Sequence, residues 1–165
     1  MLSLKFLRES TIDGNLFNAP ETYKVVTVNQ VGAMGRGIAL SCKERYPNVY
    51  REYRKACREK LYFPDDVMVF EEEKIILLAT KDDWKAPSTV EIITRGLYGL
   101  SRQLPNLNAS IAIPPLGMVN GWLKKSQRAE IFSLVVELFH KQDCNVRVYL
   151  PDVLYEEVRE LYHSK

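Results

Sequence analysis

An asparagine, three glycines and the start of a helix fall together within residues 25–40, V-V-T-V-N-Q-V-G-A-M-G-R-G-I-A-L, a grouping suited to holding an anion. Val25, Val26 and Val28 form a β-branched run too short for a helix, and Ile38, Ala39 and Leu40 begin a helix-compatible pattern, so the stretch reads strand, loop, helix. Gly32, Gly35 and Gly37 let the loop backbone approach a ligand closely, while the first N–H groups of the helix that follows have no internal acceptors. Phosphate is the anion most often held in such a place. No Lys-Ser or Lys-Thr pair follows the last glycine, and the spacing misses the G-x-G-x-x-G register, so neither of the two common nucleotide loops is present here. The glycines alone fit a packing turn equally well. Asn29 shifts the reading toward a ligand, because a carboxamide at the end of a buried strand offers a donor and an acceptor to the vicinal hydroxyls of a ribose.

The spacing of apolar residues predicts the elements that must position this loop. Residues 2–7 read as a first strand, Asp13-Gly14-Asn15 as a turn, and Leu16 and Phe17 as a short edge strand. Helices are expected over 37–46, halted by Pro47, and over 48–60, N-capped by Asn48 with Val49, Tyr53 and Ala56 on one face. Residues 67–70 and 75–79 form a hairpin across an acidic connection, and the polar stretch from Thr80 and Lys81 to Lys85 follows. Ser88 and Glu91 have capping-box spacing ahead of a helix bearing Val90, Ile93, Leu97, Leu100 and Leu104. A buried strand over 110–114 then runs into a second glycine-bearing loop, Pro115 to Trp122. A helix over 126–141 presents Ala129, Phe132, Val136 and Phe139, residues 146–150 make the last strand, and Asp152 caps a closing helix with Leu154, Val158 and Leu161 inward.

Strands alternating with helices imply an α/β fold, a three-layer α/β/α sandwich around a central mixed sheet. Ligands in such folds lie outside the carboxyl ends of the strands. Three loops leave such ends, after Val28, after Ala79 and after Ile113. If those strands are neighbours, Asn29 with the Gly32 to Gly37 loop, Lys81, and the Gly117 to Gly121 loop share one crevice.

Length and composition bound the alternatives. At 165 residues the chain is expected to be one domain, 1–165, with one core. Its 46% hydrophobic and 27% charged residues are ordinary for a globular protein, and no apolar run approaches the roughly 20 residues of a membrane span. With no signal peptide legible at the N-terminus, the expected compartment is the cytoplasm. Cys42, Cys57 and Cys144 lie far apart without a C-x-x-C pair and only His140 and His163 are available, so neither a metal nor a cofactor is expected. Net charge is +2, but residues 36–60 carry eight cationic side chains against Glu44, Glu52 and Glu59. Such a stretch reads either as a solvated helix face or as a basic rim beside the glycine loop that attracts a polyanion. Nothing in the sequence sets an oligomeric state.

The four segments Gly14-Asn15-Leu16, Val28-Asn29 with Val31 to Ala39, Thr80-Lys81 with Trp84, Ser88 and Gly96-Leu97, and Ile111 to Gly117 resemble the macrodomain family, the ADP-ribose-binding fold. More narrowly they resemble its antitoxin branch, which removes ADP-ribose from thymidine in DNA. The resemblance implies that Asn29 contacts the distal ribose and acts with Lys81 in catalysis. It also implies a ligand wall made of Gly32, Ala33, Met34, Gly35, Gly37, Ile38 and Thr80 on one side and Pro115, Leu116, Gly117, Met118, Val119, Asn120 and Gly121 on the other. Lys81 would be the catalytic lysine. The bond to ribose C1″ breaks through an oxocarbenium-like transition state, where an unprotonated lysine could attack C1″ and a charged one could hold the phosphates or assist the leaving group. By residue type alone Lys81 is an exposed loop lysine.

The chain departs from the branch in three places. Val119 and Trp122 stand where further glycines are usual, so the backbone approaches the diphosphate less freely there. Asn15 replaces an aspartate that reads the adenine amine, and Gly121 replaces an aspartate that partners the lysine. By residue type Trp84 and Trp122 are packing or rim residues that could also stack on a base. The expected activity is an ADP-ribosyl glycohydrolase with ADP-ribose or an ADP-ribosylated substrate, including ADP-ribosylated DNA, as partner and no membrane. The alternatives are an ADP-ribose 1″-phosphate phosphatase and a non-catalytic ADP-ribose-binding module.

Overall fold

The computed structural model describes residues 3–60, 66–83, 85–119 and 122–162. The first residue of the strand expected over 2–7, and Trp84, Asn120, Gly121 and His163, lie outside them. The six strands are β1 (Leu4–Arg8), β2 (Tyr23–Val28), β3 (Val67–Phe70), β4 (Ile75–Ala79), β5 (Ile111–Ile113) and β6 (Val146–Leu150). They form one mixed sheet in the order β1-β6-β5-β2-β4-β3, in which β3 alone runs antiparallel to its neighbour. The helices are α1 (Gly37–Arg45), α2 (Pro47–Arg58), α3 (Val90–Leu107), α4 (Lys125–Phe139) and α5 (Asp152–Tyr162).

Every residue of β4 is buried, as a parallel strand covered on both faces must be. The period of two then divides its side chains between two cores. Ile76 and Leu78 join the core formed with α3, α4 and α5, and Ile75, Leu77 and Ala79 join the one formed with α1 and α2. β2 divides in the same way, with Val25 on one side and Val26 and Val28 on the other. The result is the expected three-layer sandwich. Its consequence for function is positional: β5, β2 and β4 are adjacent and parallel, so the three loops expected to share a crevice leave the same edge side by side.

The structure corrects several local expectations. Leu16 and Phe17 lie in a short 3-10 turn, Leu16–Asn18, rather than an edge strand, because the Asn15 side chain accepts the Phe17 N–H and tightens the chain. Asn48 does not cap α2. Pro47 occupies the first turn, where its missing N–H costs nothing, and the Asn48 amide instead donates to Glu73 at 2.6 Å. The N-cap of α3 is Thr89, which accepts the Ile92 N–H, so Ser88 is outside the helix. On α4 the buried stripe is Ile131, Phe132, Val135 and Phe139, one residue off the expected one at Val136, and Ala129 is half-buried. On α5 Leu161 is exposed.

α3 presses on the end of β4 through Gly96. A Cβ there would meet Leu78 Cδ2 at 2.8 Å, Leu78 Cγ at 2.9 Å and the Ala79 carbonyl oxygen at 3.1 Å. Gly96→Ala is therefore expected to destabilise the fold, since overpacking of about 1–3 kcal/mol outweighs a helix-propensity gain of about 1 kcal/mol. Urea denaturation measures the sign, and a more stable variant would refute the close approach.

Candidate functional site

The loop after β2 is fastened from below. Asn29 is buried and its Oδ1 accepts hydrogen bonds from the Val31 N–H at 3.1 Å and the Ala33 N–H at 3.3 Å, while its Nδ2 donates to the Ala33 carbonyl at 3.0 Å. The Tyr53 hydroxyl, rising from the inner face of α2, lies 2.6 Å from the Asn29 carbonyl oxygen and 2.8 Å from its Oδ1. Much of the Asn29 carboxamide is thus engaged in shaping its own loop. Gly32 lies at φ +85°, and a Cβ on it would touch the Arg54 backbone at 3.4 Å, so this glycine serves loop-to-helix packing.

The Lys81 loop is stitched to the first. The Thr80 N–H donates to the Val28 carbonyl at 3.0 Å and the Gln30 N–H to the Asp82 carbonyl at 2.9 Å, with the Gln30 side chain reaching Asp82 Oδ1 at 2.7 Å. These bonds bracket Lys81 on one strand end and Asn29 on the other. The second glycine loop begins with a tight turn in which the Met118 N–H bonds the Pro115 carbonyl at 3.2 Å. Both central residues have positive φ, Leu116 at +60° and Gly117 at +79°. Leucine is an unusual choice there, and what holds it is burial of its side chain in the larger core.

These loops enclose a crevice of about 940 Å³, within the range of small-molecule sites. Its wall includes Asn29, Ala33, Gly35, Gly37 and Ile38 from the first loop and α1, Thr80 and Lys81 from the second, and Pro115, Leu116, Gly117 and Val119 from the third. Gly32, Met34 and Met118 do not face it. Gly32 is turned to α2, and the side chains of Met34 and Met118 are buried in the two cores, anchoring loops whose glycine neighbours Gly35 and Gly117 form the wall. Asn120 and Gly121 lie outside the described residues, and Trp122 is 56% exposed and is not among the residues lining the crevice.

The electrostatics favour an anion at one place. Arg36, at the N-cap of α1, supplies no side-chain cap, and the first-turn residues Gly37, Ile38 and Ala39 all line the crevice. A helix start without a side-chain acceptor leaves N–H groups and the positive end of its dipole for a ligand. Ile12, Gly14, Asn15, Leu16 and Phe17 add a more apolar stretch of wall, in which Gly14, Asn15 and Leu16 belong to a segment quoted for the family resemblance and Ile12 and Phe17 are additions. Tyr149 also lines the crevice and donates to Glu21 at 2.7 Å. Burial, then the Glu21 carboxylate, push its phenol well above the usual tyrosine range, so it stays protonated. Among the described residues no group of three or more His, Cys, Asp or Glu side chains gathers to hold a metal. No helix among them is long and apolar enough to cross a membrane.

Two residues do more than their sequence positions indicate. Tyr53 looked like an apolar core residue, although a tyrosine on the inner face of a helix implies a polar partner for its hydroxyl. Ser88 looked like a helix cap. Released from that role, it lines the crevice 3% exposed with a hydroxyl that has no hydrogen-bond partner among the described residues. A Cβ on Gly117 would lie 2.5 Å from that oxygen, so only glycine fits over it.

The two substitutions that remove these hydroxyls are expected to act oppositely. Tyr53→Phe takes the described donor from the Asn29 carbonyl oxygen and is expected to cost about 1–3 kcal/mol in urea denaturation. Ser88→Ala removes an unsatisfied group and is expected to leave the melting temperature of the ligand-free protein unchanged or raised; a clear loss would reveal a bond that the ligand-free structure lacks.

No family model matches the chain. It is 43% identical over 117 residues to the DNA ADP-ribosyl glycohydrolase of Mycobacterium tuberculosis, a match covering 67% of this chain and 33% of that protein. The chain thus spans about a third of the length of the curated relatives it matches first. Among solved structures it is similar to the macrodomain of Thermus aquaticus DarG, with 35% identity and a TM-score of 0.78 over 90% of this chain and 98% of that one. It is also similar to Thermosipho africanus DarTG in complex with ADP-ribose, with 25% identity and a TM-score of 0.76 over 91% of this chain and 42% of the other.

Proposed function

The chain belongs to the macrodomain family, and on that premise we propose that it binds ADP-ribose in the crevice and hydrolyses ADP-ribosyl links, releasing ADP-ribose from a nucleic-acid base with Lys81 as the catalytic lysine. The observation that carries the reading is the pairing of an uncapped α1 start with a lysine whose flanking residues are bonded to the strand end bearing Asn29. The diphosphate takes the helix start, the adenosine takes the apolar end near Ile12 and Leu16, and the distal ribose is left beside Asn29 and Lys81. The names of the relatives, a DNA ADP-ribosyl glycohydrolase and a DarTG complex with ADP-ribose, agree with this assignment.

In this reading the unprotonated Lys81 amine attacks ribose C1″. The bond from C1″ to the base nitrogen breaks, the electron pair leaves with the base, and a proton restores the neutral base. Water then displaces the lysine from C1″ and yields free ADP-ribose. Asn29 holds the ribose hydroxyls with whatever its carboxamide does not spend on the loop. The proton that the amine sheds on bonding to C1″, or one from solvent, goes to the departing base.

The test incubates the purified chain with ADP-ribosylated DNA and ADP-ribosylated protein side by side and follows released ADP-ribose. Release from DNA is expected, with Lys81→Ala reducing it by about 10²-fold or more while ADP-ribose still binds in calorimetry. Full activity of Lys81→Ala would remove the lysine from the mechanism. Phosphate release from ADP-ribose 1″-phosphate, or binding without any product, would replace the glycohydrolase reading itself.

A further inference from the structure

The cationic excess of residues 36–60 is larger than the net +2 of the whole chain, so the remainder is net acidic. The fold gathers much of that excess on one face. Arg51, Arg54, Lys55 and Arg58 share one face of α2, each three or four residues from two of the others, and are all exposed, while Val49 and Tyr53 on the other side of the same helix are buried. Arg8, Arg95, Lys125, Arg128 and Arg159 each pair with a carboxylate. Among the described residues, none of the cations of 36–60 takes part in a salt bridge. Several lie against aromatic rings instead: Lys43 Nζ is 4.5 Å and the Arg54 guanidinium 6.0 Å from the Tyr50 ring centre, and the Arg45 guanidinium is 4.6 Å from that of Phe17. Local carboxylates therefore leave this charge largely uncompensated.

The face adjoins the crevice. Arg54 packs directly behind Gly32 of the first loop, and Arg36 and Phe17 line the crevice itself. We propose that the exposed face of α2, with Arg36 and Arg45 beside it, is a docking surface for the sugar–phosphate backbone of a polynucleotide, holding the strand whose base is presented to Lys81. The inference rests on the reading that the acceptor is a nucleic-acid base. Charge complementarity selects the occupant: Arg51 to Arg58 span about 10 Å of helix, against about 3.4 Å of rise per phosphate in a stacked strand, so the row matches a run of about four successive phosphates. Half-buried Tyr50, set among the cations, offers a ring on which a base can stack.

The experiment titrates an unmodified single-stranded oligodeoxynucleotide into the whole chain by fluorescence anisotropy at several salt concentrations. It is repeated with the triple variant Arg51→Glu, Lys55→Glu, Arg58→Glu and with the corresponding triple glutamine variant, and ADP-ribose is titrated separately by calorimetry. The native chain is expected to bind DNA more weakly as salt rises, and the glutamate variant to lose about tenfold or more in affinity. The slope of log affinity against log salt should shrink by about 2 units in the glutamine variant, from roughly 0.7 per phosphate contact. ADP-ribose affinity should stay within about twofold, which also shows that the variants are folded. Unchanged DNA affinity and slope in both variants would overturn the proposal. So would binding of polyglutamate as tight as that of DNA, which would make the face a site for acidic protein. Failure of the native chain to bind ADP-ribose would instead sink the crevice reading, with the DNA titration still deciding this one.

Discussion

A single phenol holds the site in register. The Tyr53 hydroxyl reaches from the core beneath the sheet to both oxygens of Asn29, and from that point the first loop is built outward through the Val31 and Ala33 amides. Buried polar atoms must find partners, so a strand that ends in an asparagine inside the protein needs a donor below it. α2 supplies that donor and at the same time packs Arg54 and Cys57 against Gly32. Burial and the contact with Gly32 keep the Cys57 thiol close under this loop, and burial raises its pKa. Everything that follows, from the path of residues 30–36 to the free start of α1, depends on where that asparagine is held.

Four glycines, Gly14, Gly35, Gly37 and Gly117, stand in the wall of the crevice, and buried apolar side chains beside two of them hold their loops in place. Met34, Leu116 and Met118 point into the cores, and each adjoins or lies one residue from a wall glycine. Leu116 is the clearest case. Its left-handed backbone carries a conformational cost of the order of 1 kcal/mol, offset by complete burial of an aliphatic side chain, so the turn is held by packing rather than by its own preference. A phosphate needs N–H groups at fixed points. Loops anchored in this way can provide them from the main chain.

The sequence made the architecture and the meeting of the three loops legible, because both follow from periodicity. β3, β4 and β6 appear at the expected boundaries, and α1 to within a residue, since alternating or continuous apolar runs bounded by polar turns leave little freedom. Three of the misses share one cause. Asn48, Ser88 and the Leu16–Phe17 pair are places where side-chain hydrogen bonding decides the local conformation, and a serine or asparagine near a helix start can cap, bridge to another element or face a cavity with the same one-letter signature. Thr89 beside Ser88 offered an equally good cap, and only the packed structure decides between them. The wall residues Gly32, Met34 and Met118 were expected for the right segments, but facing depends on loop conformation, which carries no period.

The ladder that continues past the end of the sheet, from Thr80 to Val28 and from Gln30 to Asp82, has an implication for how such a chain could diversify. An amine carried on those rungs inherits the stiffness of the central strands, so evolution cannot easily retarget it by sliding its loop. The segment after Pro115 carries the departures from the family pattern, at Val119 and Trp122, which are 64% and 56% exposed. That outer lip can be exchanged as a cassette while the edge that carries Lys81 stays untouched.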